Sequence, residues 1–171
     1  MLEWQRQVRN GDRLRQCHPA FRAALKRVLH TLEQDGYRPR IQDAYRSPAL
    51  QATAYAAGRS HVRWSFHNAT TADGKPEALA ADVLDDDAPL APGRRYLLAL
   101  AIAADRYGLE TGITWGFEAW PLLRRAIDEA IAARHADAVV KVGWDPCHVQ
   151  VRGLTLADAQ AGHRPTGGAY A

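Results

Sequence analysis

The feature that most constrains this chain is a short apolar run, Leu79-Ala80-Ala81-Asp82-Val83-Leu84, interrupted by one acid. It lies between a turn-rich stretch and the acidic Asp85-Asp86-Asp87, and its length suits a buried strand. An acid embedded in apolar residues is hard to explain by folding alone. An aspartate at the end of such a strand is, however, also a common cap or turn former.

Around this strand the chain alternates helices and strands. His18 to Gln34 is amphipathic, with Phe21, Leu25, Val28, Leu29 and Leu32 on one face, Pro19 near its start and Asp35-Gly36 at its end. Tyr37 to Tyr45 alternates loosely and reads as a strand with Pro39 near its beginning or on an edge. Ser47-Pro48 opens a second helix, closed by Gly58. Arg59 to Leu79 is loop-like, with turn chemistry throughout Thr70-Thr71-Ala72-Asp73-Gly74-Lys75-Pro76. Arg94 to Tyr107 is a helix stopped by Gly108, Leu109 to Trp115 a strand, and Glu118 to His135 a fourth helix. In the strand Cys147 to Val151, His148 and Gln150 share one face. From Ala161 the chain reads as a frayed tail. No repeat, linker or low-complexity block divides it. The expectation is one α+β domain over residues 1–171, with helices packed on a small, mainly antiparallel sheet.

Composition narrows the function classes. Apolar residues make up 47% of the 171, enough for a real core, and 24% are charged, which argues against disorder. No apolar run of about 18 residues is present, so no membrane insertion is expected. Met1-Leu2-Glu3-Trp4-Gln5-Arg6 lacks the features of a secretory signal, so synthesis in the cytoplasm is expected, with any exit by a route not written there. A net charge of +3 with no basic stripe gives no case for nucleic acid. Cys17 and Cys147 follow no metal-binding spacing and read as small buried hydrophobes; a disulfide has no independent support.

Three segments carry polar groups that the fold does not demand: Ser65-Phe66-His67-Asn68, the Asp82 strand, and Trp144-Asp145-Pro146-Cys147-His148-Val149-Gln150. Singly, each has a plainer explanation: a surface histidine, a strand cap, a turn before a strand. Hydrolysis at zinc needs three protein ligands, an open position and a further carboxylate to take a proton from water. The chain supplies such a set, while composition leaves its convergence in space open. Asp85-Asp86-Asp87 with Asp73 reads as a solvated acidic turn rather than a calcium site. His18, His30, His61, His135 and His163 show no ligand spacing and read as structural or surface residues. Trp64 and Trp144 flank the two histidine segments and either wall a groove or pack in the core.

Together these segments resemble the zinc peptidases that include D-alanyl-D-alanine carboxypeptidases, vancomycin-resistance dipeptidases and phage L-alanyl-D-glutamate endolysins. That family carries Ser-x-His-x-x-Gly-x-Ala-x-Asp and, later, Asp/Glu-x-x-His. Here Ser65-x-His67, Ala78-Leu79-Ala80-Ala81-Asp82 and Asp145-Pro146-Cys147-His148 correspond. Ala44-Tyr45-Arg46-Ser47-Pro48-Ala49-Leu50-Gln51 is similar to its arginine-bearing segment, and Tyr55-Ala56-Ala57-Gly58-Arg59 to the endolysins' Tyr-Ala-x-Gly-Arg. Tyr107-Gly108-Leu109 through Trp115-Gly116 is similar to a Gly-Leu-x-Trp-Gly strand, with extra residues between the halves. The matches run in order from about residue 37 to residue 151. Two departures stand out. His67 and Asp82 are fifteen apart, eight more than the motif's spacing, which fits a loop insertion at residues 69–76. Ala78 also stands where the motif has Gly.

The resemblance implies zinc held by His67, Asp82 and His148, with Asp145 as general base and Arg46 steadying an oxyanion or a substrate carboxylate. It leaves Ser65 to orient the loop or touch substrate and Gln150 to bond a ligand from behind. The implied activity is cleavage of a peptidoglycan stem peptide, by a monomer, at the L-alanyl-D-glutamate bond. A phage-type pore is then a route to the wall. A D-alanyl-D-alanine carboxypeptidase or dipeptidase, a silent wall-peptide-binding relative, and a generic α+β binding domain are the alternatives. Asp73 is the substitute ligand if Asp82 does not serve.

Overall fold

The first element is one that no apolar pattern announces. Helix α1, Glu3–Arg15, buries Arg6, Asn10 and Leu14 along one face. The computed structural model, which describes residues 1–166, shows why. Strand β1, Pro39–Asp43, is an edge strand, and α1 meets its backbone with side chains. Asn10 donates to the Pro39 carbonyl at 3.0 Å and accepts from the Ile41 amide at 2.8 Å. Arg6 donates to the same carbonyl at 2.7 Å, and Arg9 to the Gln42 carbonyl at 2.8 Å. An open sheet edge is thereby satisfied without another strand.

Helix α2, Pro19–Gln34, lies where its apolar face predicts, with His18 accepting from the Ala20 amide as its cap. Helix α3, Pro48–Ala56, is capped by Ser47. A single 3-10 turn, Phe66–Asn68, precedes strand β2, Ala80–Asp85. Helix α4, Arg94–Arg106, leads into strand β3, Leu109–Gly112. Helix α5, Pro121–Ala132, strand β4, Asp145–Val151, and the short helix α6, Leu156–Gln160, complete the described residues. The four strands form one antiparallel sheet in the order β1-β2-β4-β3, so the α+β architecture is as expected. Ile41, Ala81, Val83, Leu109, Val149 and Val151 are fully buried in the core, which α2 and α4 join. Alternation then puts Asp82, His148, Gln150 and Glu110 on the other face.

Several expectations need correction. Strand β3 stops at Gly112 instead of reaching Trp115, because the chain turns there to meet residues 143–145. The Gly143 amide donates to the Ile113 carbonyl at 2.7 Å, and a Cβ on Gly143 would stand 2.4 Å from the Trp115 carbonyl. Helix α5 is shorter than Glu118 to His135; Pro121 opens it and Arg134, at φ 54°, lies just beyond its end. The tail is not frayed from Ala161, since Arg164 bonds Glu77 and the Thr70 carbonyl, each at 2.7 Å. Residues 167–171 of that tail lie outside the described residues. Nor is the acidic triplet uniformly solvated: Asp86 is buried against Arg40 at 2.9 Å, with Arg38 and the Met1 amino group nearby. Both cysteines are free thiols pushed up to about 12 by burial; Cys17 lies in the core and Cys147 packs half-buried against it. No helix among the described residues is long and apolar enough to cross a membrane.

Candidate metal centre

Strand register brings the first two polar groups together. Asp82 and His148 are direct partners across β2 and β4, and Asp82 Oδ1 lies 3.3 Å from His148 Nδ1. His67 arrives from the 3-10 turn, which is tied to the start of β2 by the Leu79 amide donating to the Phe66 carbonyl at 2.9 Å. Its Nε2 lies 3.3 Å from His148 Nδ1 and 3.5 Å from Asp82 Oδ1. The three atoms form a nearly equilateral triangle. Four-coordinate zinc with bonds of about 2.0–2.1 Å sets tetrahedral donors roughly 3.3–3.4 Å apart, so the spacing fits the ion.

The outward-facing ring atoms make the same case. His67 Nδ1 lies 2.5 Å from the Ala44 carbonyl, which only accepts, so this nitrogen carries the proton. His148 Nε2 lies 2.9 Å from Gln150 Oε1, also an acceptor and closer than Asp82 Oδ1 is to Nδ1, so in the neutral ring the proton is there. In the neutral rings the inner nitrogens are then lone pairs, facing each other at 3.3 Å beside a carboxylate. Two lone pairs make no hydrogen bond; a cation between them satisfies both, either a metal ion or a proton on His148 Nδ1 donated to Asp82. Burial favours loss of charge on His148, but the Asp82 carboxylate outweighs it and raises the affinity of that ring for a proton. Burial likewise opposes the charge on Asp82, yet the two imidazoles hold it well below the usual carboxylate range. His67 and His148 are almost entirely buried.

A cleft of about 330 Å³ opens over this cluster. Arg46, Ser65 and Asp145 all line it, so the structure brings every expected site residue to one place. Arg46 Nη2 is 3.6 Å from the second oxygen of Asp82, and its side chain is held by Gln51 at 3.1 Å and Asp43 at 3.4 Å. Asp145 opens β4 opposite Gly112, where a Cβ would stand 2.3 Å from the Asp145 carbonyl, so only glycine permits that approach. Burial raises the Asp145 carboxyl above its ordinary value, against the pull of His148. Ser65 Oγ bonds Asn68 at 3.2 Å and Gln51 at 3.4 Å. Asp73 does not approach the cluster: it is exposed and paired with Lys75 at 2.7 Å.

Of the other cleft residues, Trp144 takes the groove-wall place that the sequence left open against core packing, whereas His61 was not legible as functional. His61, taken as a structural or surface residue, stacks on Trp144 with centroids 4.4 Å apart, and both line the cleft with Trp115 and Arg59. Trp64 lines a different hollow. Fully buried Gln51 joins Arg46, Ser65, Ser60 and the Val62 carbonyl. A polar residue at a helix position gives no sign of such a hub; only the partners reveal it.

No protein-family profile matches the chain, and no curated protein sequence matches it. Among solved structures, the chain is similar to the crystal structure of Serratia marcescens L-Ala D-Glu endopeptidase ChiX, at 22% identity and a TM-score of 0.49, covering 88% of this chain and 89% of that one.

Proposed function

We propose that the protein is a zinc peptidase that hydrolyses peptidoglycan stem peptides, with the L-alanyl-D-glutamate bond as its target. The observation that carries the metal assignment is the triangle of His67 Nε2, Asp82 Oδ1 and His148 Nδ1, whose edges of 3.3–3.5 Å match a tetrahedral ion. The substrate assignment rests on the ordered resemblance of residues 37–151 to the peptidoglycan peptidases. Bound there, zinc supplies Lewis acidity that polarises a peptide carbonyl and brings the acidity of water toward neutral.

The chain's own residues do the rest. Asp145, in the cleft wall, takes a proton as water oxygen bonds to the carbonyl carbon, and passes it to the amine nitrogen as the C–N bond breaks. Arg46, steered by Asp43 and Gln51, presents its guanidinium to the oxygen that gains charge. Gln150 holds the His148 ring from behind, and Ser65 fixes the entry to the 3-10 turn. The excursion at residues 69–76 is an insertion that closes on itself, because the Glu77 amide bonds the Ala69 carbonyl at 2.9 Å.

Elemental analysis followed by digestion of defined muropeptides tests this. The expected result is one zinc per chain and, by mass spectrometry, products split between L-alanine and D-glutamate. Loss of a terminal D-alanine would assign a carboxypeptidase instead. Full zinc with no cleavage would assign a binding-only relative, and absence of zinc after reconstitution would overturn the metal centre.

A further inference from the structure

The polar row on this face of the sheet does not end at Gln150. Glu110 is the cross-strand partner of Gln150 in the β3–β4 register, and its Oε1 accepts from Gln150 Nε2 at 2.6 Å. We infer that Glu110 is a positioning residue for the metal centre: by orienting the Gln150 amide it sets which nitrogen of His148 carries the proton. The consequence for zinc rests on the proposed metal centre; the tautomer does not.

The steps follow from donor and acceptor identity. A glutamine amide has one accepting and one donating end of nearly equal size, so shape alone does not orient it. A carboxylate only accepts, so Glu110 takes the NH2 end. That leaves Gln150 Oε1 toward His148 Nε2, at 2.9 Å. Oε1 only accepts, and at 2.9 Å it holds the hydrogen of the neutral ring on Nε2 against the pull of the more distant Asp82 carboxylate, so the lone pair falls on Nδ1, 3.3 Å from both His67 Nε2 and Asp82 Oδ1. With the amide reversed, its NH2 would face Nε2, the hydrogen would move to Nδ1, and a proton would occupy the place of the ion. Glu110 touches neither ion nor substrate cleft; it lines a separate hollow between β3 and α5. It is half-buried, so substitution there is tolerable for folding.

Glu110→Lys, Glu110→Ala and Glu110→Gln test the relay. Lysine donates only and favours the reversed amide, alanine removes the orienting group, and glutamine can still turn a carbonyl to Gln150. Two readouts are taken on the full chain: long-range proton–nitrogen NMR of the His148 ring in zinc-free protein, at a pH where the ring is neutral, and zinc affinity by chelator competition. The wild type is expected to show the Nε2–H form. Glu110→Lys should shift it toward Nδ1–H and weaken zinc by roughly 10–100-fold, the usual cost of disturbing a residue behind a ligand. Glu110→Gln should restore both, which loss of packing alone would not do. If Glu110→Lys fails to fold, the alanine and glutamine variants still decide. An unchanged Nε2–H form in Glu110→Ala and Glu110→Lys overturns the inference. If the tautomer shifts as expected while the wild type binds no zinc, the relay stands and the metal centre falls.

Discussion

Zinc should raise the melting temperature of this protein, and the size of the rise can be worked from where the three donors lie. His67, Asp82 and His148 are separated by fifteen and 66 residues and come from a turn and two strands, so the unfolded chain offers no preformed site. An ion that binds only the folded state stabilises it by about 4 kcal/mol when its free concentration is a thousandfold above Kd. For a chain of this size each kcal/mol moves Tm by about 2–4 °C, so the expected rise is roughly 8–16 °C. Scanning calorimetry of chelator-treated protein, with and without added zinc, measures it. His67→Ala leaves two donors and should lose most of the rise, whereas His163→Ala, at an exposed position outside the cleft, should keep it. A folded His67→Ala protein that shows the full zinc-dependent rise refutes the assignment.

Asp145→Asn should keep its zinc yet lose roughly 10²–10⁴-fold in kcat, the range for a removed general base, as read by muropeptide turnover. Asn10→Ala should cost about 1–3 kcal/mol in urea unfolding, because it orphans the Ile41 amide, while the Pro39 carbonyl keeps Arg6. Removing residues 70–76 should leave zinc affinity near the wild-type value by chelator competition, since the Ala69 and Glu77 backbones already meet. In zinc-free protein, stability should decline as pH rises through the raised His148 value, because the folded state then loses a proton it binds more tightly than the unfolded chain does; denaturant midpoints across that range check the sign.

The helices legible in the sequence are those whose burial is apolar, together with α3, which Ser47-Pro48 and Gly58 mark at its ends. Phe21, Leu25, Val28, Leu29 and Leu32 line one side of α2, and periodicity alone finds it. Helix α1 escaped because it docks on β1 through Arg6 and Asn10, whose bonds to that strand run to backbone groups 29 to 33 residues away. No local pattern encodes a bond to another segment's carbonyl. Glu110 and Gln51 were missed for the same reason, since each acquires its part only when strand register or loop closure supplies the partner. Asp86 carries the lesson in reverse: three acids in a row look solvated until Arg40 and Arg38 are seen to arrive from β1 and its approach.

The acid in the apolar run has its explanation in that same register. Ala81 and Val83 on β2, and Val149 and Val151 on β4, all point into the core, so burial locks the pairing of the two strands. A slip of one residue on either strand would send Asp82 or His148 into that core and a valine or alanine out. The residues that make Asp82 look misplaced are therefore the ones that hold it opposite His148. Only His67 comes from outside the sheet, and its freedom is removed twice, by its own Nδ1 on the Ala44 carbonyl and by the Arg46 amide on its carbonyl at 2.9 Å. Both ties run to the segment just after β1. The cleft's arginine and its first histidine are thus placed by one another, and β1, whose outer edge α1 satisfies, anchors both.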